Sequence, residues 1–465
     1  MPATVEKDSL PEARFLQAFE GLSEEAKNST GEAVTSRRRR AIERFAELGV
    51  PTNQLEAYKY TNVAKALRDE YRLAPAEAVP RATPQQVEAL LLPDLDAHLA
   101  VTVGGRFSEK LSQIGDVPSG AFVGSFAEGG RQHPEVFDAH YGQYAGFEDE
   151  RSEQNAMTAL NTAFAADGLF VYVPEGTFLG KPVFALHLPS ASPNGRPEPL
   201  FAQPRHLFVV EEGAQARVIE MHRSPEDYAV ASGGFTNVVR EAYVGAHGHF
   251  DHYVVQDEGA GASQHTTFGA RHETESIFDT LTVTLSGGLV RNNLTLTPAD
   301  EFCESHLNGL YLGSGEMHVD NRTIVEHAAP DCVSNQLYKG ILSGEATGVF
   351  NGRVHVHRGA QRINAYQSNK NIVLERSAQI YSKPELEIYA DDVECSHGST
   401  TGQLDDEAIF YLRSRGIPEA RARTILLGAF ARDVIENVRS EPLAAWLTDE
   451  VGARYGADKA LGVGS

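Results

Sequence analysis

Residues 345–378 read EATGVFNGRVHVHRGAQRINAYQSNKNIVLERSA, two runs rich in alternating apolar and polar residues set between small-residue turns. Successive side chains of an extended strand point to opposite faces, so this stretch reads as turn, strand, turn, strand, turn. The turn pairs Glu345-Ala346, Gly359-Ala360 and Ser377-Ala378 follow one another at 14 and then 18 residues, a step of 32. Gly213-Ala214 and Gly245-Ala246 also lie 32 residues apart. Two strands and two turns per coil give a repeat of this size, and stacked coils make a solenoid. Residues 255–340 do not show the step.

Outward from that stretch, the same texture runs from Leu169 to about Ser396. LFVYVPEG, HLFVVEEGA, HFDHYVVQ and LTVTLSGG alternate with turns rich in Gly, Asn and Asp. No long helical run interrupts them, which excludes a βαβ sheet and leaves a sandwich, a barrel or a solenoid. The spacing favours the solenoid, with each strand burying one side in a narrow core and exposing the other.

Helical patterns flank this region. LPEARFLQAFEGL and RRRRAIERFAELGVP carry apolar residues at three- and four-residue steps. SEQNAMTALNTAFAADG predicts a helix stopped by Gly168. After Gly402, LDDEAIFYLRSRG predicts a helix with Asp405 and Asp406 at its N-terminus. PEARARTILLGAFARDVIENV predicts a second, opened by Pro418, with an apolar stripe of Ile425, Leu426, Ala429, Phe430, Val434 and Val438. EPLAAWLTDEVGARY predicts a third, holding the only tryptophan, Trp446. The expected fold is mainly β with helical ends: a helical region over 1–165, a β-solenoid over 166–402 and a helical domain over 403–465.

A formal net charge of −23 repels phosphate backbones and argues against nucleic acid as a partner. The one basic block, Arg37 to Arg40, leads into a helical pattern and reads as a solvated helix face. No apolar run is long enough to span a membrane, and MPATVEKDSLPEARF lacks the apolar core of a signal peptide. With only Cys303, Cys332 and Cys395, a disulfide framework is not expected, and a cytoplasmic setting is.

Nucleotide chemistry finds no support: GTFLGKP, 176–182, is a residue short of a phosphate loop and has Pro182 where the magnesium-binding hydroxyl belongs. A polysaccharide-cleaving solenoid requires paired carboxylates on one face, and the adjacent pairs Asp391-Asp392 and Asp405-Asp406 do not supply them. His247, His249 and His252 lie together in GAHGHFDHYVV, and His355 and His357 in RVHVHRG; members two apart on a strand face one way, as metal ligands or a plain solvent stripe would. Cys395 and His397 share the same spacing. Thiolate and imidazole suit iron, zinc or an iron–sulfur centre, or a nucleophile and its base. Two ligands do not complete a metal site, and nothing in the sequence places Cys303 or Cys332 beside them.

The segment ADDVECSHGSTTGQLDDEAIFYLRSRGI, 390–417, resembles the C-terminal hallmark of the SufB/SufD family of iron–sulfur cluster assembly scaffolds. QLEAYKYTNVAKAL is similar to an N-terminal family segment in which tryptophan is common where Tyr58 stands. MTALNTAFAADGLFVYVPEGTFLGKPV, HLFVVEEGAQARVIE and RTIVEHAAPDCVSNQLYKGILSGEATGVFNGRVHV also fit, in order, over most of 55–435. Within the family the likeness is to the SufD branch: His397-Gly398-Ser399 replaces the His-Glu-Ala usual in SufB, and AYQSNKNIVL lacks the SufB cysteine. The resemblance implies a right-handed parallel β-helix between helical ends and no enzymatic turnover. It implies pairing with SufB and docking of the ABC-type ATPase SufC through the C-terminal helices, for which Phe410, Leu426, Phe430 and Val434 are the apolar candidates. It implies that His397, with Cys395 beside it, serves cluster assembly at the SufB interface, holding iron or a transient cluster with ligands from the partner. No cofactor is expected to stay on the isolated chain; a flavin is a further candidate guest of the complex, and a homodimer is expected when the partner is missing. The alternative from another class is a β-helix protein that cleaves or binds carbohydrate, against which stands the lack of any tryptophan in the β region.

Overall fold

A computed structural model describes residues 11–22, 32–67, 71–73, 83–148, 155–189, 200–225 and 233–456. Strands alternate between two sheets. Gln215–Arg223 pairs in parallel with His249–Asp257, and the ladder continues through Ile277–Ser286, Glu304–Gly313, Val333–Leu342 and Ile363–Val373 to Val393–Gly402. The intervening strands, from Arg205–Val210 through Phe235–Val244, Ser263–His272, Leu289–Pro298, His318–His327 and Thr347–Val356 to Gln379–Ile388, build the second ladder in parallel. Each coil gives one strand to each sheet, which is the parallel solenoid that residues 345–378 predict.

The step from coil to coil varies. Thr347 pairs with Gln379, 32 residues on. Gln264 pairs with Val290, 26 on, and Gln215 with His249, 34 on. Strand lengths are held by the ladder, whereas the corners are free to differ, so the middle coils hide the repeat. Ala346 and Ala378 are equivalent buried corners of successive coils. Ala214 and Ala246 are not equivalent, because Gln215 aligns with His249.

The one-sided burial expected of the strands does not hold. Inside, Phe208, Phe250, Phe278, Leu294, Leu307 and Phe350 form a continuous apolar core. The outer face of one sheet is apolar too: Ile219, Met221, Val255, Val283, Leu310 and Ile341 pack under Leu427, Ala431, Ile435, Leu447 and Val451 of the C-terminal helices. Those outward side chains are the physical reason, since leaving them in water forfeits roughly 25 cal/mol per Å². The helices Glu419–Ile435 and Glu441–Tyr455 therefore fold back along the solenoid rather than projecting beyond its last coil. Arg439 fixes their connection, with its N–H donating to Tyr253 Oη at 3.2 Å and its guanidinium 3.1 Å from Asp279.

The N-terminal region covers the other sheet. Helices Glu32–Leu48 and Asn155–Phe164 share a core through Phe45, Met157 and Leu160. The helix ends at Phe164, before the predicted stop at Gly168, and Gly168 instead allows a close backbone approach, because a Cβ there would lie 1.8 Å from the Arg205 carbonyl oxygen. The segment around Tyr58 is an anchor: Arg291 stacks 4.0 Å over the buried Tyr58 ring and donates to the Ala57 carbonyl at 2.8 Å. Tyr60 stacks on Tyr381 at 4.2 Å, so this segment reaches the final coil.

The two ends of the solenoid differ. At the first, the antiparallel strands Arg106–Phe107 and Phe122–Ser125 close the ladders. At the last, Gln379–Ile388 and Val393–Gly402 are the terminal strands of their sheets, and neither contains a fully buried residue. Among the described residues no helix is long and apolar enough to cross a membrane.

A polar site at the open end

Cys395 and His397 lie on the final strand, Val393–Gly402. The register stacks Cys395 on Ala365 and His397 on Gln367. Ala365, Gln367 and Gln336 beneath Gln367 are all buried, so both functional candidates occupy inward columns of the coil. Because no further coil lies above them, His397 is exposed and Cys395 half-buried. The shared facing read from their spacing is present. Burial pushes the Cys395 thiol up from its ordinary value, opposed by a hydrogen bond with the Ala365 backbone.

Polar side chains fill the interior beneath this end. Thr323 donates to Gln336 at 2.7 Å, and the Gln367 amide donates to the same oxygen at 3.3 Å. Asn369 accepts from Asn371 and from Ser382, both at 2.8 Å, and Ser399 donates to Ser382 at 2.7 Å. A hydrogen-bonded chain thus runs from the interior to the bare edge. Beside it, a groove of about 810 Å³ lies between the sheet and the end of helix Glu419–Ile435, bordered by His306, Tyr366, His397 and Arg439. An inward imidazole and thiol at an unpaired sheet edge, on a polar lining, can offer two metal ligands and leave further positions to whatever covers the edge.

Over residues 193–430 the sequence matches the family description "SUF system FeS cluster assembly, SufBD core domain", and over 10–184 "SufBD protein N-terminal region". The chain belongs to the SufBD family. It is 30% identical to an iron–sulfur cluster assembly SufBD family protein of Synechocystis, over 92% of each chain. It is 29% identical to the iron–sulfur cluster assembly protein SufD of Escherichia coli, over 89% of this chain and 91% of that one. The SufD of Bacillus subtilis is 22% identical over 87% and 90% of the two chains. The likeness is thus to SufD proteins of iron–sulfur cluster assembly.

The remaining sequence candidates settle differently on this SufBD fold. His252 points inward and bonds Glu220 at 2.6 Å, whereas His249 is outward beside Asp251 and Arg439, so the His247 group does not converge. Cys303 and Cys332 are brought together, which spacing did not suggest. They occupy consecutive corners, with Val333 N–H donating to the Cys303 carbonyl, and both thiols reach the Asp300 carbonyl at 3.1 Å. Cys395 packs against the same apolar cluster. The two neighbouring buried thiols shift in opposite directions: Cys332 holds Cys303 below its ordinary value, and Cys303 together with burial pushes Cys332 up.

The C-terminal docking candidates require a correction. Val434 is fully buried against the solenoid and is not presented to a partner. Phe430 is half-buried, with Lys339 Nζ 4.4 Å over its ring, and Leu426 is half-buried. Residues 425–431 of helix Glu419–Ile435, ILLGAFA, are apolar on every side, so its stripe was ambiguous, and the solenoid takes the Leu427, Ala431, Val434 face. Phe410 remains outward at 73% exposure, joined by exposed Tyr411 and Ile425.

Proposed function

We propose that this chain is a non-enzymatic scaffold subunit of a cytoplasmic SufB–SufC–SufD-type complex that assembles iron–sulfur clusters. The observation that carries the reading is the open solenoid end, where two strands present unpaired edges and His397 lies in an inward column above buried glutamines. Such edges are templates for pairing with another chain. A SufB-type paralogue pairs there, and in its absence a second copy of this chain takes its place. His397, with Cys395 beside it, then contributes ligands to iron or a nascent cluster, which is cargo of the complex, while the paralogue supplies the rest. The ATPase docks on the exposed Phe410, Tyr411 and Ile425 of the C-terminal helices.

The test is co-expression with a SufB paralogue and a SufC-type ATPase under anaerobic conditions. Iron and acid-labile sulfide are measured in the purified complex for wild type and His397→Ala at equal subunit yield. The expected result is loss of both from the variant. Unchanged loading would remove His397 from the assembly site. Lysines placed on the edge, Ser396→Lys with Thr400→Lys, are expected to abolish paralogue pairing, and a complex that survives them would overturn the pairing surface.

A further inference from the structure

On the outer face of the second sheet, Glu326 and His355 are direct neighbours in adjacent strands, and His357 follows two positions along. Glu326 Oε2 lies 2.6 Å from His355 Nδ1 and 3.1 Å from His357 Nε2. The two imidazoles stack with centroids 4.4 Å apart. One ligand atom from each residue falls within 4.8 Å of the other two. His357 is 48% exposed by its side chain and opens the group to solvent, while His355 and Glu326 are only about a quarter exposed, at 23% and 24%.

We propose that Glu326, His355 and His357 form a binding site for a divalent first-row transition ion, separate from the open-end pair. Two neutral imidazoles and one carboxylate on one side, with the other side open to water, make a three-ligand set suited to Fe(II), Zn(II) or Mn(II). The ion takes the place of the hydrogens between Glu326 Oε2 and the imidazoles: His355 Nδ1 and His357 Nε2 ligate through their lone pairs, and each ring carries its single proton on its other nitrogen, facing solvent or a neighbour. The remaining carboxylate oxygen is oriented by Arg353, whose guanidinium lies 3.8 Å from Oε1, and the ring of Tyr389 borders His355 at 5.4 Å. A second cluster of similar composition, His187, Glu220 and His222, does not qualify. There Arg240 already occupies both Glu220 oxygens, at 2.7 and 2.9 Å, and acts as the counter-cation.

The experiment titrates Zn(II) and Co(II) into chelator-treated full-length protein carrying His397→Ala, so the open-end pair cannot hold the ion. Calorimetry reads stoichiometry, and the Co(II) visible spectrum reads nitrogen coordination. One equivalent is expected to bind. Its affinity is expected to fall at least tenfold in Glu326→Gln and in His357→Ala, and to hold in His306→Ala, a surface histidine of the other sheet. Both test residues are partly exposed, and circular dichroism checks that the variants fold. No saturable equivalent, or equal binding by both test variants, overturns the site.

Discussion

Arg240 and Glu220 meet inside the solenoid as a paired fork, Nε to Oε1 at 2.7 Å and Nη2 to Oε2 at 2.9 Å, with both residues buried. His187 and His252 complete the carboxylate at 2.9 and 2.6 Å. Arg240→Met removes one partner of a buried charge pair and is expected to cost about 3–5 kcal/mol. The double variant Arg240→Met/Glu220→Leu removes the stranded charge as well and is expected to recover much of that loss. Urea unfolding midpoints decide the matter, and equal stability of the single and double variants would count against a charge-pair origin.

The same interior predicts acid sensitivity. Burial holds His206, His222 and His265 well below their ordinary range, and His327 down at about 3. In the unfolded chain these groups titrate near about 6.5. Below that pH the unfolded state binds protons that the folded state refuses, so stability falls as pH falls, by about 1.4 kcal/mol per unit for each such histidine. Burial alone would raise Glu220, but Arg240 and its histidine partners hold it well below the carboxylate range. Its contribution is therefore present above about pH 4.3 and is lost as pH drops further. The urea midpoint is expected to decline from pH 7.5 to 5, and a flat profile there would contradict the neutral buried histidines.

Thiol chemistry separates the three cysteines. Cys303 and Cys332 are fully buried, and Cys395 is half-buried at the open end. A maleimide is expected to label one thiol per native chain and three after unfolding, with the native label lost in Cys395→Ser. Since burial raises the Cys395 thiol, the rate should climb steeply with pH beyond about 9, because the thiolate is the reactive form. Rapid labelling at neutral pH would instead mark Cys395 as an activated nucleophile in the free chain.

Residues 345–378 were legible because strand alternation and corner alanines coincide there with a 32-residue step. Elsewhere corner length varies, and no local pattern reports which residues stack. Glu326 stands 29 positions before His355, one coil away, so it joins the histidines only once the register is known. Cys303 and Cys332 are likewise neighbours only through the ladder. The Cys395 and His397 pair was readable because both lie on one strand, where a two-residue spacing sets a common face. The orientation of the C-terminal helices was not readable: consecutive Ile425, Leu426 and Leu427 give no single stripe, and the apolar outer face of the solenoid selects which side is buried.

That selection leads to the last prediction. Phe410 lies on helix Asp406–Ser414 with 73% of its surface exposed, whereas Val434 on the next helix is at 0%. Phe410→Asp places a charge in water and is expected to leave the unfolding midpoint within about 0.5 kcal/mol of wild type. If this face docks the ATPase, the same variant abolishes co-purification with it. Val434→Asp buries an unpaired carboxylate between helix and sheet and is expected to cost more than about 4 kcal/mol. Phe430→Asp falls between, since it disturbs the ring beneath Lys339, whose ammonium also donates to the Phe430 carbonyl at 2.9 Å. Any loss of ATPase binding in that variant therefore mixes stability with recognition. Pull-down with a SufC-type ATPase, read beside the midpoint of each variant, separates the two effects. Binding that persists in Phe410→Asp at unchanged stability would exclude the exposed Phe410 face as the docking surface.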